Sequence, residues 1–124
     1  MRTIKFRAWD GKGMVVPFSK SGDYFLISST GKAVNCNTLR PFKWDLMQFT
    51  GLHDKNGKEI YEGDVLCYKN PKIGNGEVRY NSERGYFELV YASGNRNFIP
   101  EPGVMEVMGV EVIGNIYENP TLIP

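Results

Sequence analysis

The chain has 124 residues, 41% hydrophobic and 23% charged, which is the length and composition of one globular domain and excludes a disordered or fibrous protein. Fifteen Lys and Arg residues against fourteen Asp and Glu residues give a net charge of +1, which argues against general coating of nucleic acid. No apolar run approaches the ~20 residues that span a bilayer, and the N-terminus lacks a signal-peptide pattern. We therefore expect a cytoplasmic protein without membrane contact, in which Cys36 and Cys67 are free thiols.

The first third of the chain has the pattern of short strands. An aromatic content of 13% and fourteen glycines at short intervals favour strands joined by tight turns. Apolar and polar residues alternate from Ile4 to Ala8, which predicts a strand over residues 2–9. The glycine-containing turn 10–13 and the apolar run 14–16 complete a predicted hairpin. Two further short strands are expected over residues 24–28 and 33–34.

Residues 38–49 fit two structures. The apolar side chains from Phe42 to Leu46 share one strand parity and those of Met47 and Phe49 share the other, which a β-bulge near Leu46 would reconcile. Apolar residues in the same segment are also spaced three or four apart, as on one face of a short helix. The strand is the favoured interpretation of this segment, and a short helix remains the alternative.

The centre of the chain contains two turn signals. Asn56-Gly57 supplies the two residues that tolerate positive φ in a type I′ turn, and Gly63-Asp64 predicts a second turn in which the Asp64 carboxylate accepts backbone N–H groups. An antiparallel meander of three strands is expected after these turns, over residues 65–68, 77–80 and 86–91. A loop is expected over residues 93–103, followed by one or two buried strands within residues 104–117.

These elements predict a mainly β fold. Small antiparallel sheets avoid exposed edges by closing into barrels, and a strand that leaves a Gly-Asp turn is typical of the opening of SH3-like barrels. We expect one domain over residues 1–124, made of a small antiparallel SH3-like barrel over about 50–124 and an N-terminal β-extension over about 1–49.

Three separated blocks of the sequence point to a known family. They are residues 4–10 (IKFRAWD), residues 50–64 with the run DKNGKEIYEGD, and residues 112–120 (VIGNIYENP). In this order the blocks resemble the YopX family of phage and prophage proteins, and the resemblance extends from end to end of the chain. It implies a small accessory protein of a temperate phage or integrated element in a bacterial cell. It brings no catalytic residues, because the biochemical activity of the family is not established.

The sequence offers no convincing catalytic or metal site. The segment from Asp54 to Glu59 superficially resembles a calcium loop, but Lys58 occupies a ligand position and the glycine stands at the fourth position instead of the sixth. The two cysteines and the one histidine, His53, lack the spacing of a zinc site. We expect no metal, no cofactor and no enzymatic activity; Glu62 or Asp64 would be the acid of an enzyme if there were one.

Binding is the better hypothesis for function. Sixteen aromatic residues exceed what a core of this size needs, so some should form an exposed apolar patch, and we expect protein–protein binding, as a homo-oligomer or with a host or phage protein. The alternative is a single-stranded nucleic acid held by interleaved basic and aromatic side chains, which the nearly neutral charge disfavours. The residues of this candidate nucleic-acid face are Lys5, Arg7, Trp9, Arg79, Tyr80, Arg84 and Tyr86.

Overall fold

The computed structural model describes residues 3–16, 25–27, 31–35 and 43–123. Over these residues the protein is mainly β and its strand pairs are antiparallel, which confirms the expected fold class. The chain divides into two compact units, a first unit of residues 4–48 and a second unit of residues 49–124 together with residues 1–3. The strands of the described residues are β1 (Phe6–Trp9), β2 (Met14–Val15), β3 (Phe25–Ile27), β4 (Ala33–Asn35), β5 (Asp45–His53), β6 (Glu59–Tyr61), β7 (Asp64–Cys67), β8 (Gly76–Asn81), β9 (Tyr86–Tyr91), β10 (Arg96–Phe98) and β11 (Glu111–Asn115).

The first unit is built on the predicted N-terminal hairpin. Strand β1 pairs with β2 on one side and with the first part of β5 on the other, and β3 pairs with β4. The turn between β1 and β2 is held by Asp10, whose Oδ1 accepts the N–H groups of Lys12 and Gly13 at 2.7 and 2.8 Å. Ala8, Val15 and Ala33 form a small buried cluster.

Strand β5 decides between the two structures that the sequence allowed for residues 38–49. Residues 45–49 are strand, and residues 38–42 lie outside the described part of the chain. The bulge expected near Leu46 is absent there, because pairing with β1 is regular from Asp45 to Gln48. The irregularity lies further on, between Phe49 and His53 opposite β6. Gly51 has a φ of 87° at this point, a conformation that side chains disfavour.

The turn between β5 and β6 differs from the predicted type I′ turn. Gly57 N donates to Asp54 O at 3.0 Å, and Asp54 N donates to Lys58 O at 2.8 Å. These bonds define a three-residue loop, Lys55 to Gly57, in which a β-turn is followed by a left-handed glycine with a φ of 81°. Asn56 is therefore the second central residue of the turn instead of the first, and the positive φ that the turn requires falls on Gly57.

The second predicted turn is confirmed in its hydrogen bonding. Gly63 has a φ of 84°, its N–H donates to Val78 O at 2.9 Å, and its carbonyl accepts from Ile116 N at 2.9 Å. Asp64 is buried, and its Oδ2 accepts the N–H of Tyr61 at 2.8 Å. The glycine and the aspartate thus fix the entry into β7.

The second unit contains a five-stranded sheet that curls into a half-barrel. The strand order is β10-β9-β8-β7-β11, so that the predicted meander of β7, β8 and β9 is confirmed and β11 returns to pair with β7. The core of this unit consists of the buried residues Ile60, Leu66, Tyr68, Val78, Leu89, Met105 and Val110. Closure into an SH3-like barrel stays a prediction.

Two elements of this unit differ from the sequence expectation. The expected loop over residues 93–103 contains strand β10, which pairs with β9. The expected strands over residues 104–117 are one strand, β11, preceded by a short helix, α1 (Pro102–Met108). Pro102 at the first helical position and Gly109 at the C-terminal end bound this helix. Its seven residues make fewer than two turns, which is too short for a helical period to be recognised in the sequence. Two 3₁₀ turns complete the described residues, at Pro71–Ile73 and Pro120–Leu122.

No helix in the described parts of the chain has the length and apolar character to cross a bilayer.

Candidate binding surface

Three neighbouring strands, β8, β9 and β10, place charged and aromatic side chains on the face opposite the core. Residues directly opposite each other in antiparallel strands share a face. Glu88 of β9 lies opposite Arg79 of β8 and opposite Phe98 of β10, whereas Val78 and Leu89 on the other face belong to the core. We call this set of side chains the outer patch: Arg79, Tyr86, Glu88, Arg96 and Phe98.

The charges of the outer patch are neutralised locally. Glu88 is only 4% exposed, and its carboxylate accepts from Arg96 Nη1 at 2.7 Å and from Asn81 Nδ2 at 3.4 Å. Arg79 donates through Nε and Nη2 to the carboxylate of Glu77, at 2.9 and 3.1 Å. This bidentate bond raises the pKa of Arg79. Both arginines of the patch are thus held by glutamates of the same sheet.

The aromatic side chains of the outer patch lie at the edge of the sheet. The ring of Phe98 is 68% exposed and packs against the ring of Tyr86, with centroids 5.2 Å apart. A cavity of about 110 Å³ beside these rings is lined by Tyr86, Glu88, Arg96, Asn97 and Phe98. Among the described residues, β10 has a neighbouring strand on one side only. The patch therefore combines an exposed aromatic anchor with an open strand edge.

The structure separates the residues of the candidate nucleic-acid face that come from the second unit. Arg79 and Tyr86 lie on the outer patch, and Arg84 is exposed in the turn between β8 and β9. Tyr80 lies on the opposite face of β8, where its ring packs edge-on against Phe87 at 5.1 Å. These residues flank one hairpin in the sequence, but alternation along the strand places them on two faces of the sheet.

The residues of this candidate face from the first unit also differ from the expectation. Lys5 and Trp9 are partly buried, and Arg7 is 9% exposed instead of facing solvent. Arg7 lies opposite Met47 across the β1–β5 pair, and Met47 is only 1% exposed. Arg7 is therefore not presented to solvent as a nucleic-acid face requires, since both Arg7 and the Met47 opposite it are buried.

Three residues of the outer patch escaped the sequence analysis. Arg96 and Phe98 were expected in a loop, since a three-residue strand is too short to show alternation. Glu88 was not among the candidate residues, and its burial depends on the guanidinium of Arg96, which comes from the next strand. The signal that could have pointed to this strand is Gly94, a turn residue between β9 and Arg96 with a φ of 87°.

His53 and Cys67, two side chains with the chemistry for catalysis, each contact a neighbouring side chain of the fold. His53 is exposed, with its ring against Phe49 at 5.6 Å. Cys67 is a free, half-buried thiol whose Sγ lies 3.9 Å from Glu111 Oε1. Burial, together with the charge of Glu111, raises the pKa of the Cys67 thiol, which disfavours the nucleophilic thiolate. Cys36 lies outside the described residues.

Within the part of the chain that the structure describes, no group of three or more His, Cys, Asp or Glu residues is placed to hold a metal ion.

The architecture defines a small mainly β protein whose half-barrel carries a mixed aromatic and charged outer face. Within this class the chain belongs to the YopX family, because the family model described as YopX protein matches residues 5–124. This confirms the resemblance seen in the three sequence blocks.

Solved structures agree with this assignment. Protein EF1440 from Enterococcus faecalis is 31% identical, with a TM-score of 0.63 and coverage of 100% of both chains. Protein yopX from Bacillus subtilis is 24% identical, with a TM-score of 0.58 and coverage of 100% of this chain and 98% of that chain, which shows the shared fold. No curated protein matches the chain.

Proposed function

We propose that this YopX-family protein is a non-enzymatic accessory protein of a phage or prophage, acting in the cytoplasm of the bacterial host by protein–protein binding and as a homo-oligomer. The observation that carries the binding role is the outer patch, in which an exposed phenylalanine stands on a strand that has one neighbouring strand among the described residues. The phage setting is supported by the family resemblance, and the cytoplasmic setting by composition.

The chemistry of the outer patch suits a protein partner. Aromatic residues and arginine are enriched in the cores of protein interfaces, where a few of them supply the larger part of the binding free energy. Phe98 and Tyr86 supply apolar area, and Arg96 supplies a guanidinium whose charge Glu88 compensates. A surface of this kind can be covered by another protein without leaving an uncompensated buried charge.

The alternative, binding of a single-stranded nucleic acid, has less support. Such binding needs arginines or lysines that are available to phosphates. Arg79 and Arg96 would each have to leave a glutamate before contacting a phosphate, and Tyr80 lies on the other face from Tyr86. The role of Asp64 in accepting the Tyr61 N–H supports a structural function for this carboxylate over an acid–base one.

Light scattering and oligonucleotide binding test the proposal. We expect a mass above that of the monomer at about 50 and about 200 mM salt, since apolar contacts tolerate salt, and no measurable binding of oligo-dT by fluorescence polarisation. Phe98→Ser should weaken self-association roughly tenfold or more, as loss of a central aromatic side chain does. Val107→Ser is the matched control, because Val107 is 83% exposed on α1, outside the outer patch.

Three outcomes would contradict the proposal. A monomer at both salt concentrations and at every protein concentration measured removes homo-oligomerisation. Tight oligo-dT binding that is released as salt rises favours the nucleic-acid alternative, and Arg79→Ala should then reduce the salt slope by nearly one unit. Equal effects of Phe98→Ser and Val107→Ser on self-association would show that the contact between copies lies outside the outer patch.

A further inference from the structure

We propose that two copies of this chain associate by pairing their β10 strands edge to edge, antiparallel about a two-fold axis at Asn97. This inference rests on the proposed self-association and names its mode. It would join two five-stranded half-barrel sheets through their backbones at the edge where β10 lacks a second neighbour among the described residues.

The hydrogen-bond pattern of β10 shows which backbone groups point away from β9. Tyr91 N donates to Asn95 O at 3.0 Å, which closes the hairpin, and the strand partners run from Arg96 opposite Val90 to Phe98 opposite Glu88. Hydrogen-bonded and non-hydrogen-bonded pairs alternate in antiparallel strands. Asn97 therefore bonds to β9, while the N–H and C=O groups of Arg96 and Phe98 point outward.

A contact made by Asn97 agrees with this assignment. Phe98 N donates to Oδ1 of Asn97 at 2.9 Å, so the Phe98 N–H is turned away from β9 and is capped by the neighbouring side chain. Native sheets commonly blunt their open edges in such ways. The cap must open before this N–H can bond to another strand, which makes Asn97 a restraint on pairing.

The outward groups are self-complementary. A two-fold axis at Asn97 places Arg96 opposite the partner's Phe98, and Phe98 opposite the partner's Arg96. Each of these two pairs can exchange both of its N–H to O bonds, which gives four hydrogen bonds between the strands. In this register, each outward N–H and each outward C=O group of β10 forms one hydrogen bond, in both copies.

The side chains favour this register and a second copy as the occupant. Arg96 and Phe98 share the outer face, so pairing about Asn97 sets a guanidinium beside an aromatic ring on both sides of the axis, which is an attractive arrangement. An axis at Arg96 would instead place two guanidinium groups opposite each other. Because the carboxylate of Glu88 neutralises the charge of Arg96 in each copy, the two copies bring no net charge together at the junction.

The size of the edge sets the expected strength. A three-residue strand contributes far less area than the ~1,200–2,000 Å² of a stable interface, so we expect a concentration-dependent equilibrium between monomer and dimer. Phe98 and Tyr86 add apolar contact beside the junction. The association should therefore respond strongly to changes in single residues of β10.

Disulfide trapping tests the register directly. The axis places Asn97 opposite its own counterpart as a non-hydrogen-bonded pair, with Cα atoms about 4.5 Å apart, a distance that a disulfide can bridge. In a chain with Cys36→Ser and Cys67→Ser, Asn97→Cys should form a covalent dimer under a glutathione redox buffer. Phe98→Cys is the matched control, because its counterpart would lie beyond disulfide reach and it should remain monomeric on a non-reducing gel.

Backbone variants test the hydrogen bonding by sedimentation over a concentration series. Phe98→Pro and Phe98→Ala both remove the ring, but only the proline removes the outward N–H, so Phe98→Pro should associate about tenfold more weakly than Phe98→Ala. Asn97→Ala removes the cap and should strengthen association about threefold or more. Circular dichroism of each variant establishes that the sheet is retained, as expected for changes at an exposed edge.

The outcomes separate this inference from the proposed function. If the wild-type protein is monomeric at every concentration, both are overturned. If it associates while Asn97→Cys and Phe98→Cys cross-link equally, or while Phe98→Pro and Phe98→Ala associate equally, the edge-to-edge mode is overturned and self-association stands. Preferential cross-linking of Asn97→Cys together with a proline effect supports the inference.

Discussion

Asp54 is the residue that connects the β5–β6 hairpin to the last strand of the half-barrel. Its Oδ1 accepts the N–H groups of Asn56 and Lys58, both at 2.9 Å, and its Oδ2 accepts the N–H of Val112 at 2.9 Å. Lys55 N adds a bond to Val110 O at 3.0 Å. A single carboxylate thus satisfies three backbone donors from two separate segments.

The pKa of Asp54 makes this connection sensitive to acid. Burial raises the pKa of the carboxyl, but the hydrogen bonds from Val112, Lys58 and Asn56 outweigh it, and the pKa lies below the ordinary value of 3.8. A carboxyl with a lowered pKa in the folded state stabilises the fold fully above its unfolded pKa. That stability is lost as the pH falls through the folded pKa.

We predict that Asp54→Asn lowers the free energy of unfolding by about 1–3 kcal/mol at pH 7, because the amide cannot accept at both of its positions. The difference from the wild type should shrink as the pH falls below the ordinary pKa of 3.8, because the unfolded carboxyl is then protonated before the native one. Urea unfolding at a series of pH values measures this. Asp45→Asn, at an exposed carboxylate, is the control, and a difference for Asp54→Asn that stays constant down to pH 2.5 would contradict the assignment.

Asp54 and Asp64 differ in how far the sequence reveals them. Asp64 accepts from Tyr61, three residues away, so the turn signal at Gly63 was enough to predict its role. Asp54 accepts from Val112, 58 residues away, and this contact depends on the path of β11. Local turn chemistry can therefore be predicted from sequence, whereas a carboxylate that joins distant segments needs the tertiary structure.

Helix α1 is an element whose two ends are fixed by different residues. Pro102 occupies its first position, and Gly109 ends it in the left-handed conformation with a φ of 60°. The N–H of Gly109 donates to Glu106 O at 3.2 Å, and Val110 N donates to Met105 O at 2.9 Å, which satisfies carbonyls of the last turn. The end of the helix thus leads directly into β11.

Gly103 within α1 and Gly109 at its C-terminal end provide a matched pair of predictions. At Gly109 a Cβ atom would lie 2.7 Å from Lys69 Cβ and would require positive φ, so Gly109→Ala should destabilise the protein by about 1–2 kcal/mol. At Gly103 a Cβ atom would meet nothing within 4 Å, so Gly103→Ala should stabilise it by about 0.5–1 kcal/mol. Thermal melts of the two variants measure both, and shifts in the same direction would contradict this description of the helix end.

Across the chain, the sequence predicts the strands that turn residues separate at regular intervals, and it does not reveal β10 and α1. Strands β7, β8 and β9 are separated by turns at regular intervals, and their positions followed from turn residues and alternation. Strand β10 has three residues and α1 has seven, so each shows fewer than two full periods of its pattern. Since β10 carries Arg96 and Phe98, the outer patch could not be assembled from sequence, although Tyr86 and Arg79 were recognised.

The two units also differ in the size of their buried clusters. Among the described residues, the cluster of the unit 49–124 contains seven buried side chains, including Leu66, Val78 and Leu89, whereas that of the unit 4–48 contains three, Ala8, Val15 and Ala33. Burial of apolar surface contributes roughly 25 cal/mol per Å², and the larger cluster consists of larger side chains. The local free energy of opening should therefore be greater in the half-barrel.

We predict that native-state hydrogen exchange divides the chain accordingly. The slowest amides of β8 and β9 should exchange at least about tenfold more slowly than the slowest amides of β1 and β2, because they open only with the larger core. Exchange of the intact protein, followed by mass spectrometry of peptides or by NMR, measures this at neutral pH. The rates should rise with pH in proportion to the intrinsic exchange rate, which shows that they report opening equilibria. Equal protection in β1 and β9 would mean that residues 4–48 and 49–124 open as one cooperative structure, and would contradict the prediction.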